Sequence, residues 1–284
     1  MLSYRHAFHA GNHADVLKHF VLTLCLQHLN AKEKPWLVLD THAGAGRYGL
    51  ESDLARKTGE HVDGIGRLWR RDDLPAPLAD YLAAVKACND GGGLRRYPGS
   101  PWLAAHFARP GDSLRFCELH SSDFALLRRE FADAGRRVKV EQADGFEAIK
   151  AALPPPSRRG LVLIDPSYEI KSDYPRVVNA TKEALRRFAT GTVMIWLPWL
   201  PSVEARALPA KLKKLPVDWL YAGLAVSAPA TRGHGMHGSA VFIANPPWTL
   251  RATLEQTLPW LTHVLAQDDK AGWVLEAQDK PATG

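Results

Sequence analysis

The sequence predicts an α/β protein in which a mostly parallel sheet is covered by helices, with one antiparallel edge strand and a helical insertion. Three features carry that expectation. From residue 113 onward, short apolar runs alternate with stretches of helical spacing, the rhythm of βαβ units. The run "PWLVLD" (35–40) passes straight into "THAGAGRYG", a strand followed by glycines. Near the carboxyl end, two apolar runs are joined by the glycine-rich "SAPATRGHGMHG" with no helix between them, which is simplest for antiparallel neighbours.

Taken in order, Val16, Phe20, Leu22, Leu26 and Leu29 recur at helical spacing, and Asn12 is placed to cap that helix. The strand 35–40 follows. Residues 47–97 alternate charge with helical apolar spacing and carry no strong strand signal, so they read as a helical insertion subdomain. The remaining segments, 1–46 and 98–284, then form one main domain. Strands are expected at 113–120, 137–144, 160–165, 191–198, 219–226 and 239–247, and helices near 122–134, 145–152, 174–189 and 201–214. The sheet is expected to end in an antiparallel strand, and the last residues, "QDDKAGWVLEAQDKPATG", look partly frayed.

A chain of 284 residues with 46% hydrophobic content can bury a large core. Its formal charge of +6 points to a polyanionic partner. Cys25, Cys88 and Cys117 are odd in number and sit among apolar residues, which excludes a disulfide scaffold and fits a reducing compartment. The most apolar window, "GTVMIWLPWLP", is too short for a membrane span and is broken by prolines. A soluble cytoplasmic protein is expected, and no feature calls for more than a monomer.

Four carboxylates, Asp40, Glu118, Asp144 and Asp165, fall at the ends of successive expected strands, the edge where open α/β sheets bind ligands. Gly44 and Gly46 suit close approach of backbone to a ligand. Glu118 suits ribose hydroxyls once the insertion is removed from the count, and Asp144-Gly145 suits an adenine ring; a strand-end surface charge and a helix cap are the plain alternatives.

The tetrad "DPSY" (165–168) closely resembles the D-P-P-Y signature of methyltransferases that act on nucleobase amino groups. The chemistry explains the residue types. An adenine amine is a poor nucleophile because its lone pair is delocalised into the ring. The Asp165 carboxylate and the Pro166 carbonyl would accept its two hydrogens, and Tyr168 would stack on the extruded base. Ser167 replaces the usual second proline. A competing tetrad, "NPPW" (245–248), follows a strand expected to be antiparallel, so it should exit at the opposite edge. His9 and His13 have the i, i+4 spacing of a zinc pair but lack the accompanying ligands, and no metal is expected. Arginine pairs recur at 70–71, 95–96, 128–129, 136–137, 158–159 and 186–187, as solvated faces or phosphate contacts.

Together, "MLSYRHAFHAGNHADVLKHF", "LDTHAGAGRY", "RRYPGSP" and "SRRGLVLIDPSYE" resemble the bacterial 23S ribosomal RNA adenine-N6 methyltransferase J family over nearly the whole chain. The resemblance implies a Rossmann-like methyltransferase with S-adenosylmethionine as donor, leaving as S-adenosylhomocysteine. The acceptor it implies is the N6 amine of one adenine of large-subunit ribosomal RNA, met before the ribosome is fully assembled. Carried onto matching positions, it places His19, His42, Ser100, Glu118, Asp144, Gly145 and Asp165 around the donor and Tyr4 against the RNA, with Asp165 also catalytic. A DNA adenine methyltransferase and a non-catalytic RNA-binding module are the alternative readings.

Overall fold

The computed structural model describes residues 5–90, 92–229 and 236–278. A 3-10 turn, His6–Phe8, precedes helix α1 (His13–Asn30), whose first turn is capped by Asn12, its side chain accepting from the Asp15 amide. Strand β1 (Leu37–Asp40) follows. The insertion contributes strand β2 (Arg47–Gly49), helices α2 (Asp53–Thr58), α3 (Glu60–Asp63) and α4 (Ala76–Ala87), and strand β3 (Arg96–Pro98). Then come α5 (Ser100–Phe107), β4 (Ser113–Cys117), α6 (Ser121–Glu130), β5 (Val138–Glu141), α7 (Gly145–Ala152), β6 (Gly160–Ile164), α8 (Asp173–Arg187) and β7 (Thr192–Trp199). The chain ends in α9 (Val203–Leu212), β8 (Trp219–Ala225), β9 (Gly238–Ala244), α10 (Leu250–Leu265) and β10 (Gly272–Gln278).

Eight strands form one sheet in the order β10-β8-β9-β7-β6-β1-β4-β5. Strands β5, β4, β1, β6 and β7 pair in parallel, as the βαβ rhythm requires. Because β4 and β6 flank β1 on opposite sides, the strand order reverses there, and ligands bind at such a switch point. The mostly parallel sheet does end in an antiparallel edge strand, but that strand is β10, from a segment that reads as frayed. The expected antiparallel strand, β9, lies inside the sheet between β7 and β8. Burial explains both placements. Every residue of β9 is buried, which demands neighbours on both sides, whereas β10 alternates exposure and carries Glu276, as edge strands do.

Two apolar clusters cover the sheet. One joins α1, α4, α5 and α10, and the other joins α7, α8 and α9. The insertion shares the first cluster through Leu78, Tyr81, Leu82 and Val85 of α4. It is less helical than expected, because β2 and β3 form a two-stranded antiparallel ribbon. Three residues per strand, one of them arginine in each, are too short and too charged to show period-two patterning. Helix α1 packs against α4, α5 and β9, so even its polar residues Asp15, Lys18 and His19 are buried.

Candidate active site

A cavity of about 690 Å³ opens at the carboxyl ends of β5, β4, β1 and β6. The sheet order sets Asp144, Glu118, Asp40 and Asp165 side by side along that edge. His19, His42, Ser100, Glu118, Asp144, Gly145, Asp165 and Pro166 all line the cavity. The volume is that of a small-molecule or cofactor pocket.

The end of the cavity around Glu118 is built from backbone turns. Glu118 follows β4 and accepts the Gly44 amide at 2.8 Å and the His120 amide at 2.7 Å. Burial pushes the Glu118 carboxyl above its usual range. Gly44 has φ +61°, and a Cβ there would stand 2.1 Å from the Tyr48 hydroxyl, so glycine is required. Gly44, Gly46 and Gly49 carry G-x-G-x-x-G spacing, but the chain runs into β2 rather than a helix. The helix N-terminus that a dinucleotide fingerprint uses is therefore lacking.

Asp144 is both things the sequence allowed, a helix cap and a cavity wall. One oxygen accepts the Phe146 amide at 3.0 Å, and the other pairs with Arg176, whose guanidinium lies 4.3 Å over the Phe146 ring. His42 packs edge-on to Phe146 at 4.7 Å between centroids. The Thr41 hydroxyl donates to Leu163 O, so it can only accept from His42 Nδ1, which fixes the tautomer. A Cβ on Gly145 would stand 1.8 Å from Thr41 O. Gly145→Ala is therefore expected to cost about 1–3 kcal/mol of stability and to weaken donor binding by displacing Thr41 and His42, read by thermal melting and calorimetry.

Another part of the cavity wall centres on Asp165. Its Oδ2 accepts from Lys18 Nζ at 2.6 Å, and the same ammonium lies 3.0 Å from Asp15 Oδ1. Asp15 Oδ2 accepts from the Gly11 amide at 2.9 Å and pairs with His6 Nε2 at 2.8 Å. Burial alone would lower the Lys18 pKa, but the two carboxylates hold it above its ordinary value. Burial would likewise raise Asp15, yet His6 and Lys18 keep it well below the usual carboxylate range. Beside this network, His19 Nδ1 pairs with the Tyr97 hydroxyl at 2.8 Å, which in turn bonds Tyr81 at 2.9 Å, tying α1 to the insertion. Ser100 donates to Asp40 at 2.6 Å, and burial pushes Asp40 up to about 7.

Sequence reasoning missed Lys18, Asp15, His6 and Trp196, all of which line the cavity. Lys18 and Asp15 lie at i, i+3 spacing inside the quoted block "HADVLKHF", and that was the available signal. The stacking role expected of Tyr168 is not what the structure holds. Its φ of +54° turns the side chain inward, it is 6% exposed, and its hydroxyl donates to Trp196 O at 2.7 Å. Its ring packs on Tyr174 and Trp196 instead. Trp196 occupies the cavity wall, and its buried Nε1 has no partner among the described residues. Ser167 also lines the cavity, and its hydroxyl accepts weakly from the Glu169 amide at 3.4 Å. Tyr4 lies outside the described residues.

Asn245 leaves β9 at the opposite edge of the sheet, where its amide donates to Ala189 O and Gly191 O. Of the arginine pairs, Arg71, Arg96, Arg186 and Arg187 pair with carboxylates, and Arg137 and Arg159 bond backbone carbonyls, so these side chains serve the fold.

Three histidines of the cavity are buried neutral: burial lowers His13 to about 4 and His19 and His42 to about 3. The unfolded chain protonates all three near pH 6.5 while the folded chain does not, so their contribution is present above that pH and is lost as pH falls below it. Asp40, raised to about 7, works in the opposite sense by binding one proton in the folded state. Between pH 6.5 and 5, stability is expected to fall as the net difference grows from under about one proton to roughly two, so that the slope reaches about 3 kcal/mol per pH unit only near pH 5. Urea unfolding at several pH values checks this, and a flat profile contradicts it.

The cavity's donor set fits S-adenosylmethionine: a half-buried carboxylate at Glu118, a glycine turn, an aromatic wall at Phe146, and Trp196 Nε1 and His13 Nδ1, which have no partner among the described residues. Comparison with known proteins agrees. Ribosomal RNA large subunit methyltransferase J of Escherichia coli (strain K12) is 49% identical over 92% of this chain and 93% of its own. The protein of the same name from Haemophilus influenzae is 46% identical over 97% of this chain and 98% of its own. The crystal structure of protein LPL1258 from Legionella pneumophila matches with a TM-score of 0.87 at 33% identity, covering 96% of this chain and 99% of that one. A family model described as ribosomal RNA large subunit methyltransferase D, RlmJ, spans residues 33–277, and with these relatives it shows that the chain belongs to the RlmJ family of large-subunit ribosomal RNA methyltransferases.

Proposed function

We propose that the chain transfers a methyl group to the exocyclic N6 amine of an adenine in 23S ribosomal RNA. The observation that carries this reading is Asp165 at the tip of β6, inside the cavity that also holds the Glu118 and Asp144 walls. Lys18 fixes Oδ2 of Asp165, and Oδ1 has no hydrogen bond among the described residues. That oxygen and the Pro166 carbonyl accept the two amine hydrogens, which draws the lone pair out of conjugation and aims it. S-adenosylmethionine, when bound, supplies the electrophilic methyl. Trp196 offers the aromatic wall for the base, a role the inward Tyr168 leaves to it.

The acceptor base must leave its stack to reach the cavity floor, which favours protein-poor RNA met in the cytoplasm before ribosome assembly is complete. The groups assigned to donor and acceptor all come from a single copy of the chain, so the reading requires no second subunit. Residues 47–97 act as an insertion subdomain whose Glu60 bonds His9 and Asn12 beside the site, while 1–46 and 98–284 form the methyltransferase domain. Mass spectrometric mapping of methylated adenines in 23S ribosomal RNA, with and without the gene, tests the reading. One N6-methyladenine is expected to disappear. Strict preference of the pure protein for duplex DNA would defeat it.

A further inference from the structure

A second cavity, of about 420 Å³, abuts the first across Pro198 and Leu200, which line both. Trp199 forms part of its wall. A Cβ on Gly223 would stand 2.3 Å from Trp199 Cζ2, and one on Gly238 would stand 2.7 Å from Cε3. Two glycines on neighbouring strands thus let the indole lie against the sheet. Its one polar group is satisfied, since Nε1 donates to the Tyr221 hydroxyl at 2.9 Å. The His237 ring stands 6.0 Å away between centroids, and Arg206 of α9 lines the same space and is exposed to solvent.

We propose that this second cavity receives a nucleobase next to the acceptor adenine in the RNA strand, stacked on Trp199, with Arg206 facing its phosphate. The inference rests on the RNA-methyltransferase reading above. Extruding one base strips its neighbour of a stacking partner, and single-stranded RNA is held by aromatic faces that restore such contacts. Continuity with the acceptor cavity places the platform one step along the strand. Covering strand glycines would by itself explain the seat of the indole, but not the open volume beside it. Because the indole N–H is already used, recognition is by ring face rather than base edge, and any base serves.

The test uses the full chain and RNA oligonucleotides carrying the unmethylated target adenine, in which the nucleotide on its 5′ or 3′ side is replaced by abasic ribose. For one of the two positions, kcat/KM of the wild-type protein is expected to fall roughly ten- to a hundredfold. Exchanging the base there for another is expected to change little. In Trp199→Leu the abasic penalty should vanish, and Arg206→Glu, an exposed change that spares the core, should raise KM for RNA. 2-Aminopurine at that position should be quenched on binding the wild type and not Trp199→Leu. Methylation without any dependence on either flanking base, as occupancy by a protein segment would give, overturns this inference alone; failure to methylate unmodified RNA sinks it together with the functional reading.

Discussion

Replacing Asp165 with alanine is expected to lower kcat about a thousandfold, the scale on which loss of one preorganised polar contact to the reacting group acts. The effect should fall on the chemical step far more than on donor affinity, because Glu118, Asp144 and the glycine turn stay in place. Asp165→Asn separates charge from shape. It keeps one acceptor oxygen but turns an amide N–H₂ either toward the Lys18 ammonium or toward the substrate amine, and both pair donor with donor. A loss of about a hundredfold is therefore expected even from this near-isosteric change. Neither variant should unfold the protein, because Lys18 retains Asp15 as its partner. Single-turnover methylation of RNA with saturating donor reads the first effect and calorimetry the second. Unchanged turnover in Asp165→Ala would remove the basis for the proposed mechanism.

What could be read from sequence follows from the range over which each interaction acts. Asp40, Glu118, Asp144 and Asp165 were legible because a strand end is marked locally, by an apolar run that stops at a carboxylate, and parallel topology then brings the ends together. Lys18 was not legible as a partner of Asp165. The two stand 147 positions apart, and α1 is buried on nearly every face, so no amphipathic stripe flags a polar residue as functional. Tyr168 misled because a four-residue signature specifies residue types and leaves side-chain direction to the backbone, here set by a positive φ and a bond to Trp196 O. The strand β10 was overlooked for the reason it works as an edge, its mixed polar and apolar face. Membership of the large-subunit ribosomal RNA methyltransferase family, by contrast, depends on no single one of these residues, because the resemblance runs over nearly the whole chain and the family relation spans it.

Lys18→Met is expected to be costly in both stability and catalysis, and to be more destabilising than Asp165→Ala. The ammonium side chain is 5% exposed and is shared by Asp15 at 1% and Asp165 at 13%, so its removal leaves one buried and one partly buried carboxylate without the cation that joins them. Breaking a buried pair from one side costs about 3–5 kcal/mol, because the remaining charge cannot be solvated. The penalty has a signed pH dependence. Without Lys18, Asp15 loses one of the cations that hold its pKa down and takes up a proton more readily in the folded state, so the difference between variant and wild type should be large at pH 8 and shrink toward pH 5. Taking the difference at each pH cancels the acid loss from His13 and His42, while His19, which Lys18 also holds down, is protonated more readily in the variant and acts in the same direction. Transfer should fall along with stability, since an Asp165 freed from Nζ no longer holds Oδ1 toward the acceptor. Lys18→Arg should not restore it, because a planar fork cannot replace a compact ammonium in a slot this closed. A penalty below about 1 kcal/mol at every pH, the value of an exposed pair, would mean that the network is solvated and that Asp165 is not held by Lys18 in solution.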